Sequence, residues 1–208
     1  MLHHDEVIQS MLGWVIVNGM FHIPVYKHYW QSQTMDIQIA VVDMQGKKSR
    51  AFHWPDMNEF AAAVFIGQSQ GCLHCITGHR KQEDHGAHVT ELSIWVLEDY
   101  DATQEDNDAA QWALKQSVSC LQLFGEISCG VDDFDVIAIH PDRNLVFFVH
   151  RYNWKLMSYD MDSEEVCDLC TLGLGGRLIT PYVPYFAGVP VLNCGAPTGF
   201  LEGQPTIL

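Results

Sequence analysis

Short apolar runs separated by turn residues recur along this chain. Asn144-Leu-Val-Phe-Phe-Val149 is apolar without a break, Lys155-Leu-Met-Ser-Tyr-Asp160 ends on an acid, and Glu165-Val-Cys-Asp-Leu169 follows a second turn. Strand, turn, strand, acidic turn and strand describe one antiparallel blade-like sheet. In Leu92-Ser-Ile-Trp-Val-Leu97 one face carries Leu92, Ile94 and Val96, and the other carries Ser93, Trp95 and Leu97. Neither face is fully polar, so a sheet packed on both sides is predicted there.

Parts of this cassette occur earlier. Asn18-Gly-Met-Phe-His-Ile23 and Gln70-Gly-Cys-Leu-His-Cys75 share an amide residue, Gly, a hydrophobic pair and His in one order, and Asn144–Val149 keeps the amide and the apolar pair. Each is followed by a strand ending on an acid (Ile37–Asp43, Leu92–Asp99, Leu156–Asp160) and then by a further strand (Ser49–Trp54, Trp112–Val118, Val166–Thr171). The first two units lie about 52 residues apart, near the spacing of propeller blades. An acidic insert between Glu98 and Gln111 and a connector from Leu121 to Asp135 account for the later third unit. The predicted fold is all-β: antiparallel blade-like repeats in a partial or open propeller-like stack, since about three units fall short of the 4 to 8 blades of closed propellers.

Helical signals are few. The best are Met57 to Phe65, where Asn58 would cap Glu-Phe-Ala-Ala-Ala-Val, and Val118 to Phe124. Residues 1–186 are assigned to the repeats and 187–208 to a Gly/Pro-rich tail expected to be poorly ordered. The chain has 208 residues, 48% of them hydrophobic, enough for one substantial core. No run approaches about 18 apolar residues, and the N-terminal Met-Leu-His-His-Asp-Glu is acidic where a signal peptide is basic. A cytoplasmic or nuclear location is expected.

A formal charge of −15 with 11 basic residues argues against nucleic acid and anionic membrane as partners. Acids concentrate between Glu83 and Asp108. A solvated surface insertion is the preferred account of that segment, and a loop attracting a basic partner is the functional one. Seven cysteines without a secretory signal point to reduced thiols. Cys72-Leu-His-Cys75, with His74, and Cys167-Asp-Leu-Cys170 invite a zinc reading. On an extended strand, however, residues three apart face opposite ways, so buried free cysteines are preferred. Among eleven histidines, His22 and His74 recur at equivalent positions, which favours a structural role such as bonding to a neighbouring blade. No nucleophile elbow, metalloprotease, P-loop or dinucleotide frame occurs.

The series Leu92–Tyr100, Trp112–Val118, Ile139–Val149, Leu156–Asp162 and Pro181-Tyr-Val-Pro-Tyr185 resembles the C-terminal, propeller-like associated domain of plant F-box proteins, closest to the large grass set. The resemblance covers most of residues 37 to 186. It implies target recognition in a Skp–cullin–F-box ubiquitin ligase, with an unknown target protein as partner. No F-box is visible ahead of Gly19-Met-Phe-His22, so docking of the Skp-type adaptor by this chain is not expected.

The reading is an interaction domain with no catalysis, cofactor or metal of its own. Its candidate partner-binding residues are Glu98, Asp99 and Asp101 in the acidic insert, and Arg151 and Trp154 in a later turn, because loops on rigid sheets commonly carry function. Trp154 is an anchor if exposed and otherwise part of the core. The alternatives are a zinc-binding or hydrolytic enzyme built on Cys72, His74, Cys75, Cys167 and Cys170, or a non-functional truncated paralogue.

Overall fold

The computed structural model describes residues 4–8, 12–29, 34–80, 88–98 and 111–173. Asp99, Asp101, the Pro181–Tyr185 motif and the 187–208 tail lie outside them. Three antiparallel sheets dominate the rest. The first joins β1 (His4–Ile8), β2 (Val15–Val17), β3 (Met20–Tyr29), β4 (Thr34–Val42) and β5 (Lys48–His53), with β1 and β2 both on one edge of β3. The second joins β6 (Ala61–Ser69), β7 (Cys72–His79), β9 (Glu91–Leu97) and β10 (Trp112–Ser119); β8 (His88–Val89) lies between β7 and β9 in the chain. After α1 (Cys120–Phe124), β11 (Cys129–Gly130) pairs with β8, and the third sheet runs β12 (Phe134–Ile139), β13 (Leu145–His150), β14 (Lys155–Asp160) and β15 (Val166–Thr171). The architecture is all-β and open, with no sheet closed into a barrel.

Each repeated sequence feature has a local cause. Asn18-Gly19 and Gln70-Gly71 all take positive φ, 51° and 72° in the first pair and 52° and 77° in the second. Two consecutive left-handed residues make the tight turn whose twist matches a β-hairpin, and these turns join β2 to β3 and β6 to β7. The acids are turn acceptors. Asp43 Oδ1 accepts from the N–H of Gln45 at 3.0 Å and of Lys47 at 2.8 Å, and Asp160 Oδ1 accepts from the N–H of Asp162 at 2.8 Å. Such side-chain acceptors stabilise a reversal by satisfying its backbone donors.

Asn58 organises a turn and not a helix: its side chain accepts from the N–H of Phe60 at 2.8 Å and its carbonyl from the N–H of Ala61 at 3.1 Å, and β6 begins at Ala61. The expected helix at Met57–Phe65 is thereby corrected; Ala and Val in this run are placed by packing, which overrides helix propensity. The second expectation holds in shortened form. Ser119 Oγ caps α1 by accepting from the N–H of Gln122 at 3.1 Å, and Gly125 ends it at φ 77°.

The second sheet is packed on both faces. Toward the first sheet, Leu73, Cys75, Leu97 and Ile66 meet Ile37, Ile39, Val41, Phe52 and Trp54. Toward the third, Ile76, Leu92, Ile94 and Val118 meet Ile139, Val146, Phe148 and Tyr159. The two faces of Leu92–Leu97 thus divide as the alternation predicts. The inner strands β2, β6 and β12 approach one another along the axis of the arc. That approach needs small residues: a Cβ on Gly67 would lie 3.1 Å from the Ile139 side chain.

The third copy is one residue out of the register read from sequence. His22 pairs with Val41 and His74 with Val96, placing both on the face toward the next sheet. Phe148, aligned with them through Asn144, faces back into the second sheet, and the counterpart of the histidines is Phe147. A one-residue slip exchanges the two faces of a strand. The turn is the cause: Asn18 and Gln70 stand two residues before their strands in left-handed pairs with Gly, whereas Asn144 ends a longer reversal and stands one residue before β13. Ladder register shifts leave Val64 in β6 and Ile137 in β12 unpaired, and Ser49, Lys115 and Leu169 on the three outer strands β5, β10 and β15. Each blade repeats the bulge of its outer strand.

His22 and His74 do not bond across to a neighbouring blade through Nδ1. Their Nδ1–H groups donate to the carbonyls of Met20 and Cys72, each at 3.0 Å, within their own hairpins. Burial holds His22 down at about 4, with the Met20 bond opposing it, and lowers His74 as well. Unfolded histidine takes up its proton near pH 6.5, so below that pH the unfolded chain binds more protons than the folded one. Stability from these residues is complete above about pH 6.5 and declines as pH falls toward 4, by ~3 kcal/mol for His22. Urea midpoints measured at about pH 7.5 and about pH 4.5 should separate accordingly. His22→Leu should narrow the gap, and a gap of unchanged size would refute this origin.

Candidate functional site

The structure separates the candidate partner-binding residues. Glu98 is exposed and follows β9, whose last residues lie beside the β6–β7 turn. Arg151 and Trp154 follow β13, whose last residue pairs with Phe134 at the start of β12. Starts and ends of inner strands lie at opposite ends of the arc: Ser69 Oγ at the end of β6 donates to the Arg143 carbonyl beyond β12 at 2.9 Å. Glu98 and Arg151 therefore belong to different surfaces.

Arg151 is held on three sides. Its Nε donates to Asp135 Oδ2 at 2.7 Å and its Nη2 to Oδ1 at 2.5 Å, a two-pronged pair, while its backbone N–H donates to the Asp133 carbonyl at 2.8 Å. The bonds to Asp135 raise the guanidinium further above its usual range, so its charge is permanent. Behind Arg151 lies a cavity of about 150 Å3 between β6 and β12, walled by Leu12, Ala62, Val64, Val131, Phe134 and Val136, with Asp132 and Asp135 on its rim. Small-molecule sites usually span about 300–1,000 Å3. This cavity is the size for one apolar side chain.

Trp154 takes φ 53°, is half-buried, and offers its carbonyl to the N–H of Leu172 at 2.7 Å. That carbonyl bond ties the turn to the chain just after β15. The exposed aromatic of this turn is Tyr152, at 86% exposure. It rests near the ring of buried His150, which packs on Phe124 at 5.1 Å and lies 3.6 Å from Glu126 Oε1. Ile127 at 72% and Val131 at 37% are exposed on the adjacent connector. Sequence reading placed these residues in loops without singling them out, because solvent exposure of a loop aromatic leaves no trace in hydrophobic periodicity.

The cysteine pairs behave differently from one another. Cys72 is exposed and Cys75 buried, pairing with Ser69 and Ile66 on opposite faces as extended geometry requires. On β15, however, Cys167 pairs with Ser158 and Cys170 with Leu156, two residues apart on β14. The bulge at Leu169 brings both thiols to one face, and both are exposed. The expectation of opposed, buried cysteines is thus corrected for this pair, and the expectation of burial also for Cys72. Among the described residues no group of three or more His, Cys, Asp or Glu could hold a metal ion. No described helix is long and apolar enough to cross a membrane. No family model, curated protein or solved structure matches the chain.

Proposed function

We propose that this chain is a protein-recognition module without chemistry of its own, similar to the target-binding part of a grass F-box protein. The observation that supports it is that the exposed Tyr152 directly follows Arg151, which lines the small cavity together with the exposed Val131. Exposed Tyr and Arg are the residue types that dominate interface hot spots, and the cavity admits one apolar side chain. Asp132 and Asp135 line it, with Arg151 already committed to Asp135. The partner that fits is a segment carrying an apolar side chain next to Lys or Arg.

Captured proteins from a cell extract test this reading when wild type is compared with Tyr152→Ala and Asp132→Lys. Each change should weaken retention of a specific target about tenfold, on the order of 1–2 kcal/mol. Neither should move the thermal midpoint appreciably, because both residues are exposed. Retention indifferent to both changes would refute this surface. Recovery of a Skp-type adaptor by the chain alone would contradict the reading that adaptor docking requires a supplied F-box.

A further inference from the structure

We propose that Cys120 and Cys129 form a reversible disulfide that fastens the connector between the second and third sheets. Cys120 opens α1, and its Sγ donates to the Val89 carbonyl at 3.2 Å. Val89 is the direct cross-strand partner of Cys129 in the β8–β11 ladder. Residues opposed in this way have Cα atoms about 4.5–5.5 Å apart, so a sulfur resting on Val89 lies beside Cys129. The two thiols act on each other: Cys129 lowers the Cys120 thiol, and Cys120 raises that of Cys129. A disulfide needs Cα atoms about 4.4–6.8 Å apart and converging side chains. The Cys120 sulfur sits on the cross-strand partner of Cys129, and both side chains lie in one core cluster, which supplies that convergence.

Both residues are fully buried in the core shared by the second and third sheets. Reaction accordingly requires local opening, and the intervening chain provides it. Leu121 is 57% and Ile127 72% exposed, and Gly125 breaks α1 at φ 77°. Exposed short segments of this kind open at a small fraction of the global free energy.

The oxidant is a small disulfide such as oxidised glutathione. The Cys120 thiolate, favoured because the Cys129 S–H stabilises it, attacks one sulfur and releases glutathione thiolate. The Cys129 thiolate then attacks the mixed disulfide at Cys120 and releases the second glutathione. Two protein thiols are oxidised, one glutathione disulfide is reduced to two thiols, and the two protein protons pass to the released thiolates.

Closing a loop of about ten residues should raise the thermal midpoint by roughly 5–10 °C. The connector also supplies Val131 to the cavity, although the test does not depend on binding. The purified full chain is equilibrated with mixtures of reduced and oxidised glutathione, trapped by alkylation and mapped by mass spectrometry, alongside Cys129→Ala and a Cys72→Ser, Cys167→Ser, Cys170→Ser variant. A Cys120–Cys129 crosslinked peptide in wild type and in the triple variant, with the raised midpoint lost in Cys129→Ala, is the expected result. Should Cys129→Ala fail to fold, the crosslink in the other two chains still decides. Alkylation of both Cys120 and Cys129 at the most oxidising mixture, or glutathione adducts confined to the exposed cysteines, would overturn the proposal.

Discussion

Phe148→Ala should lower the free energy of unfolding by about 3–5 kcal/mol. Phe148 is fully buried between the second and third sheets, packed with Ile94, Val146 and Tyr159, and its ring meets that of Phe124 edge-on at 6.1 Å. Removing it costs the transfer free energy of the ring and leaves a cavity that rigid sheets on either side cannot collapse to fill. A domain is stable by only about 5–15 kcal/mol in total, so a large part of the margin would go. Phe148→Leu keeps most of the volume and should cost about 1–2 kcal/mol. Urea unfolding of the two variants measures both values, and a loss below about 1 kcal/mol for the alanine variant would mean that this interface is not a packed core.

Trp54→Ala should produce a loss of similar size, about 3–5 kcal/mol, at the other interface. Trp54 is 3% exposed in the cluster between the first and second sheets, and its Nε1–H donates to Thr77 Oγ1 at 3.1 Å. Thr77 in turn donates to the Pro55 carbonyl at 3.2 Å. Trp54→Phe retains apolar contact but deprives the buried threonine oxygen of its donor, which should account for about 1–2 kcal/mol. Phe148 and Trp54 belong to clusters on opposite faces of the second sheet. The double alanine variant should therefore show losses that add to within about 0.5 kcal/mol. Strong departure from additivity would indicate that the two interfaces are energetically one.

Most of the strands were legible because their signals are local. Asn18-Gly19, Gln70-Gly71 and the acids Asp43 and Asp160 mark reversals through φ preference and side-chain acceptors, and these act within a few residues. The double-sided packing of Leu92–Leu97 was legible because alternation survives in an unbulged strand. What escaped was whatever a bulge or a tertiary contact decides. Leu169 reverses the expected facing of Cys167 and Cys170, and nothing in Cys-Asp-Leu-Cys announces an extra residue in the ladder. Ala61–Phe65 has the composition of a helix, yet its place between β7 and the inner strand β12 makes it a strand. At the candidate site, Arg151 was found from its turn. Tyr152, one residue on, was not singled out because its exposure leaves no mark on the hydrophobic pattern.

The bulges on β5, β10 and β15 bear on how molecules of this kind stay apart in a crowded cell. An outer strand that runs flat and regular offers its unpaired amides and carbonyls to any extended chain that drifts by, and sheet edges of that kind seed aggregates. Here Ser49, Lys115 and Leu169 each interrupt the row once, and Lys155 beside β15 ties Asp168 across the same strand at 2.8 Å. The circumference is thus poorly suited to templating further strands, so a chain that exposes three outer strands need not pay for them in fibrils.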